Sequence, residues 1–577
     1  MIIIGLSFLT YLLMYISPGD PALKKLNAQG ITVSEETLEA AREEMGLNEP
    51  FLARYAQWLG NALTGDLGTS YKDGMPVAGK LTHALRYTLI LSVASLAVSL
   101  IVSLPLAVIS AVKKDGILDN IVKLLSFIGN SLPNFLISVL LMYFFCVKTD
   151  LLPVLANESV KGLILPCLAL AIPMCSRFLR QFRAEVLEQL GRDYVLGAKA
   201  RGVKSSIILF KNVLHNAAIP ILTIVALSVG TLLGGSVVVE TIFRWPGIGK
   251  LVMDSITARD YPVIQGFVIF TSCIYVLINL AADLCYRRLD PRVGQMCGER
   301  MDLTMTARKK QKRRLCVFLT LAGVLMLIGL LAPLIVPNDP NATNAANMNA
   351  SPSAKYLFGT DRYGRCVFSR VIMGARTSIF SAVVLVAVTF VIGTVLGMVA
   401  GWYGGAVDSI IMRIVDIMLA FPQMVLAIAV AGILGGGMIN AMLAMGLSGW
   451  TLYARLARAQ VIAMKNEPFI SAARLSGCSN IKIMLHYLLP CMLGSLIVNA
   501  ATQLGVMMIG IAGLSFLGIG VTEPHAEWGS MINQSRAYMQ LAPWATLAPA
   551  GATVVTVMIF NCLGDFLRDY LDVEAAK

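Results

Sequence analysis

The chain has 577 residues, room for several soluble domains, yet 56% are hydrophobic and only 14% charged, with a mean hydropathy of +0.72. A soluble domain carries roughly 25% charge, so this much apolar surface must face lipid, which excludes a soluble enzyme and a disordered scaffold. The net charge of +13 lies in short loops between apolar runs, where it orients spans and offers no face to nucleic acid.

In chain order, twelve apolar runs are candidates to cross roughly 30 Å of hydrocarbon: 2–16, 87–112, 122–147, 162–179, 217–239, 263–285, 315–336, 379–402, 410–434, 438–455, 495–518 and 547–567. The expected fold is therefore an all-α polytopic membrane protein of about twelve transmembrane helices. The first run is short. No basic stretch precedes Ile2 and no small-residue site follows, so a cleavable signal peptide is not expected. The outer loop 18–86 holds seven basic and nine acidic residues, whereas Arg177 to Lys211 holds eight basic residues and Arg287 to Arg314 holds ten. By the positive-inside rule the latter two face the cytoplasm, and both termini with them. Lys355 to Arg376, with five basic residues on the outer side, dissents, but long loops vote weakly. Eleven scattered cysteines with no CxxC pair give neither a disulfide framework nor a zinc site.

The chain repeats itself at half its length. Gly65-Asp66-Leu67-Gly68 answers Gly359-Thr360-Asp361 through Gly364, and Arg86-Tyr87-Thr88-Leu89 answers Arg376-Thr377-Ser378-Ile379. Trp245-Pro246-Gly247 then Arg259-Asp260-Tyr261 answer Trp528-Gly529 then Arg536-Ala537-Tyr538. The expected division is a first half 1–295, a basic cytoplasmic linker 296–314 and a second half 315–577, each half with six spans. Parallel repeats of an even number of spans imply a pseudo-two-fold axis along the membrane normal.

Two cytoplasmic segments carry the mechanism. Asp193-Tyr194-Val195-Leu196-Gly197-Ala198-Lys199-Ala200-Arg201-Gly202 and Glu467-Pro468-Phe469-Ile470-Ser471-Ala472-Ala473-Arg474-Leu475-Ser476-Gly477 each pair an aromatic with a small-residue helical turn and a closing glycine. Glycine ends a helix because it accepts positive φ. Gly197, Ala198, Ala200, Ser471, Ala472 and Ala473 let another protein approach, and Lys199, Arg201 and Arg474 suit an acidic groove. A second helical stretch follows, broken at Pro220 or Pro490.

The second segment, with Ser471-Ala472-Ala473, Gly477 and Leu489-Pro490, resembles the EAA motif of ABC-importer permeases. The first departs from it, with Leu196-Gly197-Ala198 and a longer run to Pro220. That spacing, Pro18-Gly19-Asp20-Pro21-Ala22 and Trp245-Pro246-Gly247-Ile248-Gly249 resemble the first permease of the dipeptide/oligopeptide/nickel branch. Phe358-Gly359-Thr360-Asp361, Gly513-Leu514-Ser515-Phe516-Leu517-Gly518 and Gly564-Asp565-Phe566-Leu567-Arg568-Asp569 resemble its partner. The whole chain thus looks like a fusion of two permeases of the ABC type I importer fold. The resemblance implies coupling helices at the two segments, a homo- or heterodimeric pair of ATP-binding cassette subunits docked on them, and an extracytoplasmic binding protein. It implies alternating access in a cell membrane. ATP and Mg are then used by the partners, and this chain binds no cofactor and is no enzyme. Consistent with that, Gly247-Ile248-Gly249-Lys250 lacks the first glycine and the Ser/Thr of a phosphate loop.

On the outer side, His83, Arg259, Asp260, Asp361, Arg365, His525 and Glu527 are the candidates to meet substrate or binding protein, and no metal site is fixed. The helix-spaced acidic run from Glu35 to Glu44 reads as a solvated face. Gly19-Asp20-Pro21-Ala22-Leu23, Ile31-Thr32-Val33-Ser34-Glu35-Glu36, Leu47-Asn48-Glu49-Pro50 and Gly520-Val521-Thr522-Glu523-Pro524 look closest to nickel permeases. Chelated nickel is the favoured cargo, with di- or oligopeptides as the alternative. An ion-gradient secondary transporter is the rival class, but several central spans lack the ionisable relays it uses. Gly393, Gly397 and Gly401, four residues apart, read as a close helix contact.

Overall fold

The structure, a computed structural model, describes residues 2–16, 22–23, 26, 34–44, 48–153, 159–289, 305–419 and 422–575. The Pro18–Pro21 motif, the spacer through Ile31–Val33, Leu47 and the 296–304 part of the linker lie outside them. The described residues are helical, with no strand; two isolated bridges, Thr69 with Pro76 and Thr360 with Cys366, close matching turns. The chain divides into two compact units, 10–297 and 1–9 with 298–577.

The same series of elements occurs in each unit. Val77–Val112 corresponds to Val367–Tyr403, Val160–Leu190 to Met438–Met464, Leu214–Phe243 to Leu489–Phe516, and Tyr261–Leu289 to Pro543–Ala575. Among the described residues each of the twelve expected runs is mostly helical. Among the described residues, seven helices are long and apolar enough to cross a membrane, or nine with two bent pairs counted as spans. All-helical architecture follows from the solvent: in hydrocarbon each backbone donor must find its acceptor inside the segment.

Three features differ from expectation. The helices outrun their apolar windows: Val77 and Val367 start about three turns before the expected spans, and Val160–Leu190 carries Arg177, Arg180 and Arg183 well beyond 179. Likewise Lys309 to Arg314 of the linker belong to helix Met305–Ile335. Runs 122–147 and 410–434 are bent pairs, Ile117–Ser131 with Asn134–Lys148 at 100° and Gly405–Leu419 with Gln423–Leu434 at 86°. Pro133 and Pro422 cap the second members, because proline disfavours helix in the residue before it. Finally, the helix is not broken at Pro220: Leu214–Phe243 runs through it, and the irregularity is a π-helical stretch just upstream, Ile208–Val213. Its counterpart Met484–Leu488 leads directly to Pro490, at the first turn of Leu489–Phe516.

Within each unit the second long helix packs along the helix that leads to the expected docking segment, 193–202 or 467–477. In the second unit the packing is through glycine. A Cβ on Gly393 would stand 2.2 Å from the Trp450 carbonyl oxygen, and one on Gly397 2.3 Å from that of Ala454. In the first unit serines take that role: Ser95 and Ser99 Oγ lie 3.3 and 3.2 Å from the Cys167 and Ala171 carbonyls.

Candidate functional site

The two expected docking segments fold alike. Each is an eight-residue helix, Asp193–Ala200 and Pro468–Leu475, too short to stand without tertiary packing. Each buries two residues one turn apart, Val195 with Ala198 and Ile470 with Ala473. In the second unit these enter a cluster with Met398, Trp402, Tyr453, Val461, Met484 and Leu488. Ala198 and Ala473 therefore face their own unit. Gly197, Ala200, Arg201, Phe469, Ser471 and Ala472 face out, and the Tyr194 hydroxyl donates to Gln189 Oε1 at 3.0 Å. Both helices end on glycine at φ +75°, Gly202 and Gly477. Their N–H groups donate to Lys199 and Arg474 carbonyls at 2.9 and 3.0 Å, and the next residues reach back to Ala198 and Ala473.

Ionic joints brace the helices that lead into them, and sequence reasoning missed these. Asp119, fully buried at the first turn of Ile117–Ser131, accepts from Arg183 Nε at 2.6 Å and Nη2 at 2.9 Å, and from Ser110 Oγ at 2.5 Å. Arg183 lies ten residues before Asp193, on the helix leading to the first docking segment. The second unit has the same joint, Arg458 to Asp408, with Arg455 to Asp416 beside it at 2.7 Å. Arg474 does not project freely from the docking helix: its guanidinium sits 4.6 Å above the Trp402 ring.

At the opposite end, called outer after the loop charges, each unit carries a short helix, Ile248–Ala258 and Trp528–Ser535. A fully buried carboxylate holds each helix at its first turn. Glu240 accepts from Gly249 N at 2.6 Å, Lys250 N at 3.3 Å and Thr88 Oγ1 at 2.8 Å. Glu527 accepts from Gly529 N at 3.0 Å, Ser530 N at 2.8 Å and Ser378 Oγ at 3.2 Å. The indole N–H groups of Trp245 and Trp528 donate to the Tyr87 and Val371 carbonyls at 3.0 and 2.9 Å. Burial pushes the Glu527 carboxyl above the ordinary carboxylate range, against the donors that favour its charge. Burial, then Asp361, pushes Tyr538 up to about 12, which keeps it neutral.

Several outer candidates prove to be joints of the fold. Asp260, 2% exposed, accepts from Ser70 Oγ and Tyr71 N at 2.5 and 2.9 Å. Asp361 and Arg365, both buried, pair at 2.6 Å. With Glu527 these three are positioned inside the loops, a correction to their reading as surface contacts: a charge is buried where several donors or a counter-charge replace its water. His83, Arg259 and His525 are exposed. His83 lines an outer cavity of about 430 Å³ in the first unit, together with Lys80, Ala84, Gly247, Lys250 and Asp254.

Residues 103–295 and again 393–575 match the model of the binding-protein-dependent transport system inner membrane component, and 1–92 that family's membrane-component N-terminal model. The chain belongs to that family. It carries the permease domain twice, and so is a fused pair of permeases. The permease is 40% identical over 263 residues to a dipeptide transport system permease protein of Alkalihalophilus pseudofirmus, covering 46% of this chain and 86% of the relative. It is 39% identical over 254 residues to a nickel transport system permease protein of Escherichia coli, 44% of this chain and 92% of the relative. It is 36% identical over 303 residues to an oligopeptide transport system permease protein of Bacillus subtilis, 51% of this chain and 95% of the relative. Each relative is thus spanned almost whole by about half of this chain. The permease is a multi-pass inner-membrane subunit of an ABC importer and not an enzyme; ATP hydrolysis belongs to separate subunits.

Proposed function

We propose that this permease is the complete membrane pore of its importer and that it works by alternating access. The observation that carries this is the pair of docking helices: the same length, the same buried pair, the same glycine ending and small residues facing out. One ATP-binding subunit seats on each at the cytoplasmic face, where both termini also lie. ATP-driven closure of the ATPase pair draws the docking helices together and turns the pore toward cargo delivered by an extracytoplasmic binding protein. Hydrolysis lets it reopen inward. The cargo is nickel carried as a small chelate, supported by the segments resembling nickel permeases and by the nickel relative at 39% identity. The dipeptide relative at 40% identity favours a short peptide as the second reading. Uptake of radioactive nickel with a chelator and of a labelled dipeptide, in cells lacking this chain and restored with it, separates the two. Loss of nickel uptake alone is expected; loss of dipeptide uptake alone overturns the cargo assignment. Copurification of an ATPase tests the permease assignment itself.

A further inference from the structure

A buried carboxylate is an expensive way to hold a short helix. Desolvation costs several kcal/mol per ion, and an exposed Ser or Asp caps a first turn adequately. Both units nevertheless place one at the root of the outer helix, and they do so from different chain positions. Glu240 lies in the last turn of the long helix Leu214–Phe243, five residues before Trp245, whereas Glu527 stands immediately before Trp528. The partners coincide all the same: two backbone N–H groups of the outer helix, one hydroxyl of the second long helix and one serine of the preceding long helix, Ser236 or Ser515, with no lysine or arginine side chain among these hydrogen bonds. The hydroxyls close the joint on their other side as well, since Thr88 Oγ1 accepts from Ile248 N at 2.9 Å and Ser378 Oγ from Trp528 N at 3.3 Å. The outer helices have no slack. A Cβ on Gly249 would stand 2.4 Å from Val237 Cα, and one on Gly529 2.1 Å from the Ala512 carbonyl oxygen.

The other end of the same long helix is fastened to the docking apparatus. In the first unit Ser110 Oγ bonds Asp119 and Arg183 at 2.5 and 3.1 Å. In the second, Arg474 of the docking helix lies on Trp402, and Lys465 Nζ reaches the Gly401 carbonyl at 3.4 Å. At 1.5 Å per residue, Thr88 to Ser110 spans about 33 Å and Ser378 to Trp402 about 36 Å. Each is about the hydrocarbon thickness. Between the fastenings each helix packs on the helix that leads to its docking segment, through Ser95 and Ser99 or through Gly393 and Gly397.

We propose that the second long helix of each half is a transmission rod between outer helix and docking helix, continuous through Pro105 in the first half and free of proline in the second, and that Glu240 and Glu527 are the positioning residues that fasten its outer end. The rod carries the arrival of a loaded binding protein at the outer helix to the ATPase on the opposite face. This rests on the assignment of the docking helices to ATPase subunits. A physical link of this kind is demonstrated by coupling, not by contiguity.

The test uses the full chain with its ATPase subunits in nanodiscs, with ATPase rate measured with and without cargo-loaded binding protein. Glu240→Gln and Glu527→Gln keep shape and remove charge; Glu240→Ala and Glu527→Ala remove the acceptor altogether. In every variant that assembles, basal ATPase is expected to stay within about twofold while stimulation by the binding protein falls roughly 3- to 30-fold. Thr88→Val and Ser378→Ala, which delete the hydroxyl without adding bulk, should reproduce the loss. Retained stimulation in the assembled Gln and hydroxyl-deleted variants overturns the rod, as does a parallel fall of basal and stimulated rates, which marks a merely structural role. Failure of any ATPase to bind the wild-type chain instead overturns the underlying docking assignment.

Discussion

Replacing Gly477 tests whether the docking helices are shaped by their backbone or by the room around them. Gly477 has φ +75°, and a Cβ built on it meets nothing within 4 Å; Gly202 is identical in both respects. An alanine at Gly477 therefore clashes with no part of its own chain, and its cost is conformational. For an L residue in the left-handed region that cost is about 1–2 kcal/mol, a factor of roughly 5 to 30 in an equilibrium. The helix has eight residues and ends there, so the cost falls on the docking surface and leaves the membrane helices intact. In nanodiscs, titration of the chain with a labelled ATPase subunit should weaken in the order Gly, Asn, Ala, Val, since Asn tolerates positive φ best of the other three. Alanine should lower affinity about 5- to 30-fold. Bulky residues at Gly202 or Gly477 should further let ATP hydrolysis run without uptake, with protein in the membrane unchanged. If alanine matched glycine and only the large residues failed, the constraint would be the partner's space and not φ, and the reasoning would be wrong.

Other perturbations give further tests. Asp119→Ala should lower thermal stability of the purified protein by about 3 kcal/mol, the low end for a broken buried pair, because its partners Arg183 and Lys123, whose Nζ lies 2.7 Å from Asp119 Oδ2, remain 16% and 40% exposed; an unchanged melting curve would deny the joint. Gly397→Leu must push apart two helices whose backbones nearly touch. It should cost more than the 1–3 kcal/mol typical of overpacking, read as loss of folded protein in detergent extracts. Arg474→Gln removes the cation above the Trp402 ring and leaves the buried ring in place. A stacked cation of this kind contributes about 0.5–1 kcal/mol, so uptake should fall roughly two- to fivefold with expression unaffected; equal uptake would make the stack incidental.

The docking helices were legible because their signal is local. A glycine that needs positive φ, small residues and a helical turn sit within ten positions, and the repeat shows it twice. The Gly393 stripe was legible for the same reason, and Gly393 and Gly397 do meet a neighbouring backbone. The serine stripe that replaces it in the first half hides inside an ordinary apolar run. Joints between distant residues left no such mark. Arg183 and Asp119 are 64 positions apart, and Thr88 and Glu240 are 152 apart, so each charge alone resembles a solvated one. Glu240, set between Val239 and Thr241 at the end of an apolar run, offered one clue: a lone acid there has to be neutral, bonded or wet. The helix over-runs were not legible in hydropathy, because an apolar run stops at charge although Arg177 and Arg183 extend a helix readily. The bends were open to discovery, since Pro133 and Pro422 interrupt their apolar runs.

The two docking helices share a backbone but not a face. One presents Leu196, 60% exposed, where the other has Ser471, and its aromatic Tyr194 is half-buried where Phe469 is 41% exposed. Because both faces are written into a single polypeptide, every copy of the transporter has the same handedness of left and right. A motor assembled from two identical subunits has to fit one cleft to two different profiles, tolerating a serine where its twin receives a leucine. A motor of two unlike subunits can instead be sorted, each to its own side, and a swap of residues 193–202 with 467–477 would then reverse the seating order.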